Sequence, residues 1–125
     1  MSVTNLPLAA SNLIETWSPR IVAEVNQTAI KVARIEGKFV WHEHEEEDEA
    51  FFVLHGEMIV RYRDAPDVAL KKGDLHVVPR GISHCPVAEH ECLIALIEPS
   101  TTKHTGNTIS NRSRSITEQR SELSE

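Results

Sequence analysis

The chain has 125 residues, which is enough for one compact domain and too few for two. Hydrophobic residues make up 40% of it and charged residues 26%, a composition that excludes disorder of the chain as a whole. The formal net charge of -6 argues against a nucleic-acid partner, because phosphate binding depends on clustered cations.

The N-terminal segment, residues 1–19, is predicted to pack on the domain without joining its sheet. The stretch Ser11–Trp17 suggests one or two helical turns, with Ser11 or Asn12 as the cap and Pro19 ending the helix. We expect this short helix to cover one end of the domain.

Residues 20–99 are predicted to form an all-β body. Short runs of β-favouring residues follow one another here, separated by glycines and prolines at intervals suited to turns. Such a pattern indicates a sandwich or a barrel, and a barrel of this size can hold one ligand. The predicted strands are Ile21–Val25, Ala29–Ile35, Ala50–Leu54, Met58–Tyr62, Leu75–Val78 and Cys92–Ile97.

Residues 100–125 are rich in Ser, Thr, Asn and Arg, and their apolar residues are Ile109, Ile116 and Leu123. So few apolar side chains do not offset the entropy lost on ordering the segment. We therefore predict a flexible C-terminal tail, which a partner subunit could order.

The sequence also predicts the cellular location of the protein. Its apolar runs are all shorter than the roughly 20 residues needed to cross a bilayer, and the N-terminus lacks the pattern of a secretory signal. We expect a cytoplasmic protein with no membrane partner. The two cysteines, Cys85 and Cys92, are too few for a disulfide scaffold and are expected to be free thiols.

Two histidines stand two residues apart after a strand-like apolar stretch. At this spacing side chains point to the same face of a strand, so His42 and His44 would project their imidazoles together. Six of the seven residues from Glu43 to Glu49 are acidic, and Glu49 leads into an apolar run. Repulsion and desolvation destabilise a carboxylate there unless a cation compensates its charge. The pattern favours a divalent metal site, with a solvated acidic edge as the alternative for residues 45–47.

A third histidine, His84, follows a Pro-x-Gly turn further along the chain. The two stretches together resemble the two motifs of the cupin superfamily. The first motif is matched by Gly37, His42, His44, Glu49 and Gly56, and the second by Gly73, Pro79, Gly81 and His84. Two positions depart from the family pattern. Four residues instead of five separate Gly37 from His42, and Ala88 stands where the family often has an asparagine.

This resemblance implies an antiparallel jelly-roll barrel, also called a double-stranded β-helix, with His42, His44, Glu49 and His84 as the ligands of one divalent ion. Three imidazoles and one carboxylate suit iron, manganese, nickel, zinc or copper, whereas calcium and magnesium prefer more oxygen ligands. An ion that prefers six ligands would keep two positions for water, dioxygen or a chelating substrate. The sequence leaves the identity of the metal open.

Three functions are compatible with such a site. The first is a metal enzyme acting by Lewis-acid catalysis on a small oxygen-rich molecule such as a sugar or keto acid, in a reaction of the isomerase, lyase or epimerase type. The second is a non-haem iron dioxygenase. The third is a non-catalytic module that binds a small molecule or a metal. The sequence identifies no catalytic residue and no substrate.

Other polar residues carry weaker expectations. Arg34, Arg61, Tyr62 and Arg63 could orient a substrate carboxylate from inside the barrel, or could equally lie on exposed strand faces. The remaining histidines, His55, His76, His90 and His104, are expected to be structural or exposed. We also expect a homodimer, because a small barrel with few aromatic residues often completes its core by pairing. Either residues 20–25 or the tail could cross between the two copies.

Overall fold

The computed structural model describes residues 1–102, 104–106 and 115–120. Two short helices flank the strands, α1 (Leu6–Ser11) and α2 (Ile116–Gln119). The seven strands are β1 (Arg20–Val25), β2 (Thr28–Lys38), β3 (Glu49–His55), β4 (Glu57–Tyr62), β5 (Val68–Lys71), β6 (Leu75–Val78) and β7 (His84–Pro99).

All the strand pairs are antiparallel, and β7 connects the two halves of the fold. The main order is β1-β2-β7-β3-β6, while β4 pairs with both β5 and β7. At its start β7 pairs with β4, where Tyr62 lies opposite His84, and further along it pairs with β3, where Phe51 lies opposite Leu96. One long strand shared by both halves curls the sheet around an interior, which confirms the predicted all-β barrel.

The six predicted strands are all present, most of them longer than predicted. The sequence analysis missed β5, because its four residues follow a polar stretch containing a proline and carry no alternating pattern of their own. It also missed the first half of β7, where Pro86 interrupts the β-favouring residues. Both omissions lie next to the second motif.

Apolar side chains form two clusters, one on each face of the curled sheet. Inside the barrel, alternate residues of the strands pack around Phe51, Ile35 and Ile94. Outside it, Ala10 and Leu13 of the N-terminal segment cover Val32 and its neighbours on β7. The interior cluster extends towards the end of the barrel where β3 and β7 begin.

The predicted helix at residues 11–17 is wrong, because α1 lies earlier in the chain. Asn5 caps it: its Oδ1 atom accepts a hydrogen bond of 2.9 Å from the backbone N–H of Leu8, and Pro7 lies in the first turn. The residues that follow form turns and bends instead of a helix, and the N–H of Trp17 donates to the carbonyl of Arg34 at 2.8 Å. The Trp17 ring is buried and stacks on Phe39, with 4.7 Å between the ring centroids.

Parts of the predicted tail lie against the barrel. The N–H of Ser100 donates to the carbonyl of Gln27, and the side chains of Thr102, Thr105 and Gln119 are buried. Residues 103, 107–114 and 121–125 lie outside the described part of the chain, so the flexibility of the tail stays a prediction. Neither helix in the described ranges is long and apolar enough to span a membrane.

Candidate metal centre

Backbone hydrogen bonds bring the two sequence motifs together at one end of the barrel. His42 and His84 pair through both backbone groups, with N···O distances of 3.0 and 2.9 Å. The N–H of Gly81 donates to the carbonyl of His44 at 2.7 Å, which ties the second turn to the first motif. Glu49 is the first residue of β3. His42 and His44 lie on the connection between β2 and β3, so it is tertiary pairing that orients them.

The four predicted side chains converge. His42, His44, Glu49 and His84 are all buried, and one ligand atom from each lies within 4.8 Å of the others. The Nε2 atoms of His44 and His84 are each 3.5 Å from Oε1 of Glu49. This separation is too long for a good hydrogen bond. It is close to the roughly 2.9–3.4 Å expected between two ligands that share an ion at about 2.05 Å.

The chemistry of these atoms fits a cation. Among the residues that the structure describes, both ring nitrogens of His44, Nε2 of His84 and Oε1 of Glu49 are buried and have no hydrogen-bond partner. Leaving a buried polar group unpaired costs about 1–3 kcal/mol. A divalent ion between them would satisfy the two Nε2 atoms and the Glu49 oxygen together.

The backbone also sets which nitrogen of two imidazoles faces the centre. Nδ1 of His42 lies 2.9 Å from the carbonyl of Val40, and Nδ1 of His84 lies 2.9 Å from the carbonyl of Ile82. A carbonyl accepts only from a protonated nitrogen, so each ring keeps Nε2 as its lone-pair donor. Both rings are therefore in the tautomer that binds a metal through Nε2.

Electrostatics favour the same protonation states. Burial, with a smaller contribution from the nearby His84, lowers the pKa of His42 to about 4, so its ring is neutral at pH 7. Burial alone would raise the pKa of the Glu49 carboxyl, but contacts with His44, His84 and Glu98 hold that pKa well below its usual value. The cluster thus offers a neutral imidazole and a carboxylate at neutral pH.

Two further charged residues lie beside the cluster, and the sequence analysis missed both. Lys31 and Glu98 are buried, and Nζ of Lys31 is 3.0 Å from Oε2 of Glu98. Burial and the charge of Glu49 raise the pKa of Glu98 well above its usual value. Both residues alternate with apolar, inward-facing positions on their strands. This alternation is the signal that could have identified them.

Tyr62 and His76 form a second polar pair inside the barrel. The Tyr62 hydroxyl is 2.6 Å from Nε2 of His76, and both side chains are half-buried. Tyr62 lies opposite His84 on the neighbouring strand. Burial raises the pKa of Tyr62, with the charge of Glu49 adding to the shift, and burial together with His84 lowers the pKa of His76. A hydroxyl and an imidazole thus lie near the predicted ligands.

The three arginines point away from this interior. Arg34 forms a 3.0 Å ion pair with Glu91, Arg61 lies 3.8 Å from Asp67 on the surface, and Arg63 stacks over the ring of Trp41 with its guanidinium carbon 4.4 Å from the centroid. Arg61 on β4 is exposed as the alternative predicts, Arg63 is exposed just beyond the end of β4, and Arg34 is half-buried on the outer face of β2. Tyr62 alone of the four faces inwards.

Most residues of the acidic run at 43–49 lie in water, and one lies in the site. Glu45 and Glu46 are exposed, Glu47 is half-buried, and Asp48 accepts a 2.8 Å hydrogen bond from the N–H of Arg80. Of the run, only Glu49 joins the cluster. The solvated alternative is thus correct for most of the acidic residues.

A small cavity of ≈ 30 Å³ adjoins the cluster on the side of Trp17. Its walls include Phe39, His42, Glu49 and Phe51. A buried water needs a cavity of roughly 10–15 Å³, so the space suits about two waters. Tyr62 and His76 are not among its walls, and both are partly exposed.

Comparisons with known proteins agree with this fold. The family described as "Cupin domain" matches residues 31–97. The chain is 32% identical over 80 residues to the "Uncharacterized protein YdbB" of Bacillus subtilis (strain 168), which covers 64% of this chain and 71% of that protein.

Solved structures show the same similarity. The crystal structure of a cupin-2 domain containing protein from Shewanella frigidimarina NCIMB 400 superposes with a TM-score of 0.74 and 41% identity, over 78% of this chain and 94% of the other. A hydroquinone 1,2-dioxygenase from Sphingomonas sp. TTNP3 has a TM-score of 0.66 at 18% identity, over 76% and 72% of the two chains, and shows the shared fold alone. The chain belongs to the cupin domain family.

Proposed function

We propose that the protein is a mononuclear metal enzyme that uses a divalent transition-metal ion to act on a small oxygen-rich molecule, such as a sugar or a keto acid, in an isomerase, lyase or epimerase type of reaction. The observation that carries this proposal is the set of buried donor atoms without partners that converge from His44, Glu49 and His84, with His42 beside them. Burying such a group without a compensating charge is unfavourable.

In this proposal the chain supplies four ligands and keeps the remaining positions open. Iron, manganese, nickel, zinc and copper all accept a set of three imidazoles and one carboxylate. When bound, such an ion would supply Lewis acidity to a carbonyl or enolate oxygen. A substrate with two neighbouring oxygens would suit this role, because it could chelate such an ion.

Tyr62 and His76 are the groups we propose for moving a proton. Their 2.6 Å contact lets His76 hold the hydroxyl of Tyr62 in one orientation and exchange a proton with it. Both side chains are partly exposed, so a small molecule could reach them. A substrate bound there would meet the hydroxyl of Tyr62.

The metal site is tested by replacing one ligand and one matched control. His44→Ala removes a buried imidazole of the cluster, whereas His90→Ala removes an exposed imidazole of β7. We expect about one transition-metal ion per chain in the unmodified protein and in His90→Ala, and a large loss of metal in His44→Ala, measured by elemental analysis after purification. Full retention of metal by a folded His44→Ala protein would refute the site.

The dioxygenase is a second candidate, and the ≈ 30 Å³ cavity beside His42 and Glu49 favours it. That space suits a diatomic molecule, and the ligand set suits iron(II). Anaerobic purification, loading with iron and measurement of oxygen uptake with candidate diketones and thiols separate the two enzymes. Absence of oxygen uptake by fully iron-loaded protein counts heavily against the dioxygenase.

A further inference from the structure

We propose that Lys31 and Glu98 are a positioning pair that holds the carboxylate of Glu49 in the orientation needed to bind the ion. This inference rests on the metal site proposed above and assigns a role to two residues outside its ligand set. Lys31 and Glu98 are almost completely enclosed, with side chains that are 1% and 2% exposed. Charged residues are rarely buried to this extent unless they are paired.

The strand register explains how the three side chains meet. Lys31 alternates with Ala33 and Ile35 along β2 and therefore points into the barrel. In the pairing of β2 with β7, Ala29 lies opposite Glu98 and Lys31 lies opposite Leu96. Lys31 and Glu98 are therefore diagonal neighbours on the inner face.

Glu49 occupies the corresponding position on the other side of β7. Ala50 lies opposite Ile97 in the pairing of β3 with β7, so continuing the register brings Glu49 alongside Glu98. Both side chains are buried on the inner face, so the two carboxyl groups lie side by side on neighbouring strands. Glu49 therefore has the two histidines near its Oε1 atom and Glu98 beside it on the next strand.

Stability alone does not account for such a pair. A buried ion pair repays its desolvation only with excellent geometry, and apolar residues of similar volume often stabilise a protein as well or better. Glu98 lies next to a predicted ligand on the neighbouring strand and offers it a polar neighbour, which an apolar residue could not do. Outer groups of this kind fix the orientation of metal ligands, and their loss typically weakens metal binding 10–100-fold.

The C-terminal segment completes the arrangement. Oε1 of Gln119 accepts a hydrogen bond of 2.5 Å from Nζ of Lys31, and the Gln119 side chain is fully buried. Gln119 of helix α2 therefore binds Lys31, Lys31 binds Glu98, and Glu98 lies beside Glu49. The proposed pair connects the C-terminal segment with the metal centre.

The test uses the full-length protein loaded with cobalt(II), whose visible absorption reports the geometry of its ligands. The first variants are Glu98→Gln and Lys31→Met. A double variant, Lys31→Met with Glu98→Leu, replaces the pair by apolar residues of similar size and guards against misfolding caused by one unpaired charge. The matched control is Arg34→Met with Glu91→Leu, which removes the exposed ion pair between the same two strands.

We expect the Lys31 and Glu98 variants, including the folded double variant, to bind cobalt(II) about 10–100-fold more weakly than the unmodified protein and to show an altered visible spectrum. The control should match the unmodified protein in both measurements. Unchanged affinity and spectrum in the double variant would overturn the positioning role while leaving the metal site intact. Failure of the unmodified protein to bind cobalt(II) would overturn the metal site itself, and the positioning role with it.

Discussion

Single side chains at the centre are held in states that water would not favour. The clearest case is His42, whose pKa burial lowers to about 4 while its Nδ1–H donates to the carbonyl of Val40. The ring is thereby kept neutral and oriented before any ion arrives. This pre-organisation reduces the cost of binding, because the ligand does not have to lose a proton or change its tautomer.

The same shift predicts how the metal-free protein responds to acid. An unfolded His42 takes up a proton near its ordinary pKa of 6.5, whereas the folded one does so only near 4. Between these values the unfolded state binds more protons, so stability falls as the pH is lowered, by about 3 kcal/mol at most for this group. The pKa of Glu49 is also lower in the folded protein, so stability falls further when the pH drops below the usual titration range of a glutamate.

Urea unfolding of the metal-free protein at pH 7 and pH 4.5 measures this effect. Replacing His42 with Gln should make the free energy of unfolding less dependent on pH. The equivalent change at the exposed His90 should leave the dependence as it is in the unmodified protein. Equal pH dependence in His42→Gln and the unmodified protein would show that His42 does not titrate in this way.

At the scale of elements, sequence patterns predict a strand well when its residues alternate between polar and apolar or are mostly apolar. They predict it poorly when the strand forms only because a neighbouring strand offers it hydrogen bonds. β3 and β4 follow their apolar runs, whereas β5 forms because β4 offers it an edge. The helix prediction failed for a local reason, since Asn5 and Pro7 provide a better start than Ser11 or Asn12.

The residues of the site differ in the same way in how well the sequence predicts them. The spacing of the two motifs is sufficient to predict His42, His44, Glu49 and His84, which the structure brings together. Lys31 and Glu98 alternate with apolar residues on their strands, which marks them as candidates for the interior. Their contact with each other and that of Tyr62 with His76 could not be predicted, because both depend on which face of each strand turns inwards after the barrel closes. A shift of one residue in register would have placed them in solvent.

The turn between β3 and β4 shows how one element constrains another. Gly56 has a φ angle of 83°, and a Cβ atom there would lie 2.8 Å from the carbonyl oxygen of Glu91. Gly73 has a similar φ angle of 90°, but its position is open. Gly56→Ala should therefore destabilise the protein by more than the roughly 1 kcal/mol expected from backbone strain alone at Gly73→Ala. Equal losses of stability in the two variants, measured by chemical denaturation, would show that β7 moves away from the added Cβ atom at no cost in free energy.

For the whole molecule, one apolar surface remains open on the outside of the barrel. Leu75 and Val77 on β6 are 58% and 48% exposed, and Ile97 on β7 is 37% exposed. Val77 and Ile97 both lie opposite Ala50, so they form one row across the outer face. We propose that two copies of the chain pair through this surface, because β6 is also an open edge of the sheet among the strands that the structure describes.

Sedimentation at micromolar concentration tests the dimer. We expect the unmodified protein to sediment as a dimer and Val77→Lys to sediment as a monomer, because a charge in an apolar interface is costly. Lys71→Glu changes an exposed charge on β5 and should leave the dimer intact. A monomeric unmodified protein would contradict the proposal.

The central claim is that one ion binds where the two motifs meet, and X-ray absorption by the metal in purified protein tests it most directly. The account predicts a single site per chain with a first shell of imidazole nitrogens and carboxylate oxygen at about 2.0–2.2 Å, in which the nitrogen signal declines in His84→Ala. A first shell of oxygen alone, unchanged in His84→Ala, would contradict it, because the ion would then be bound by carboxylates and water.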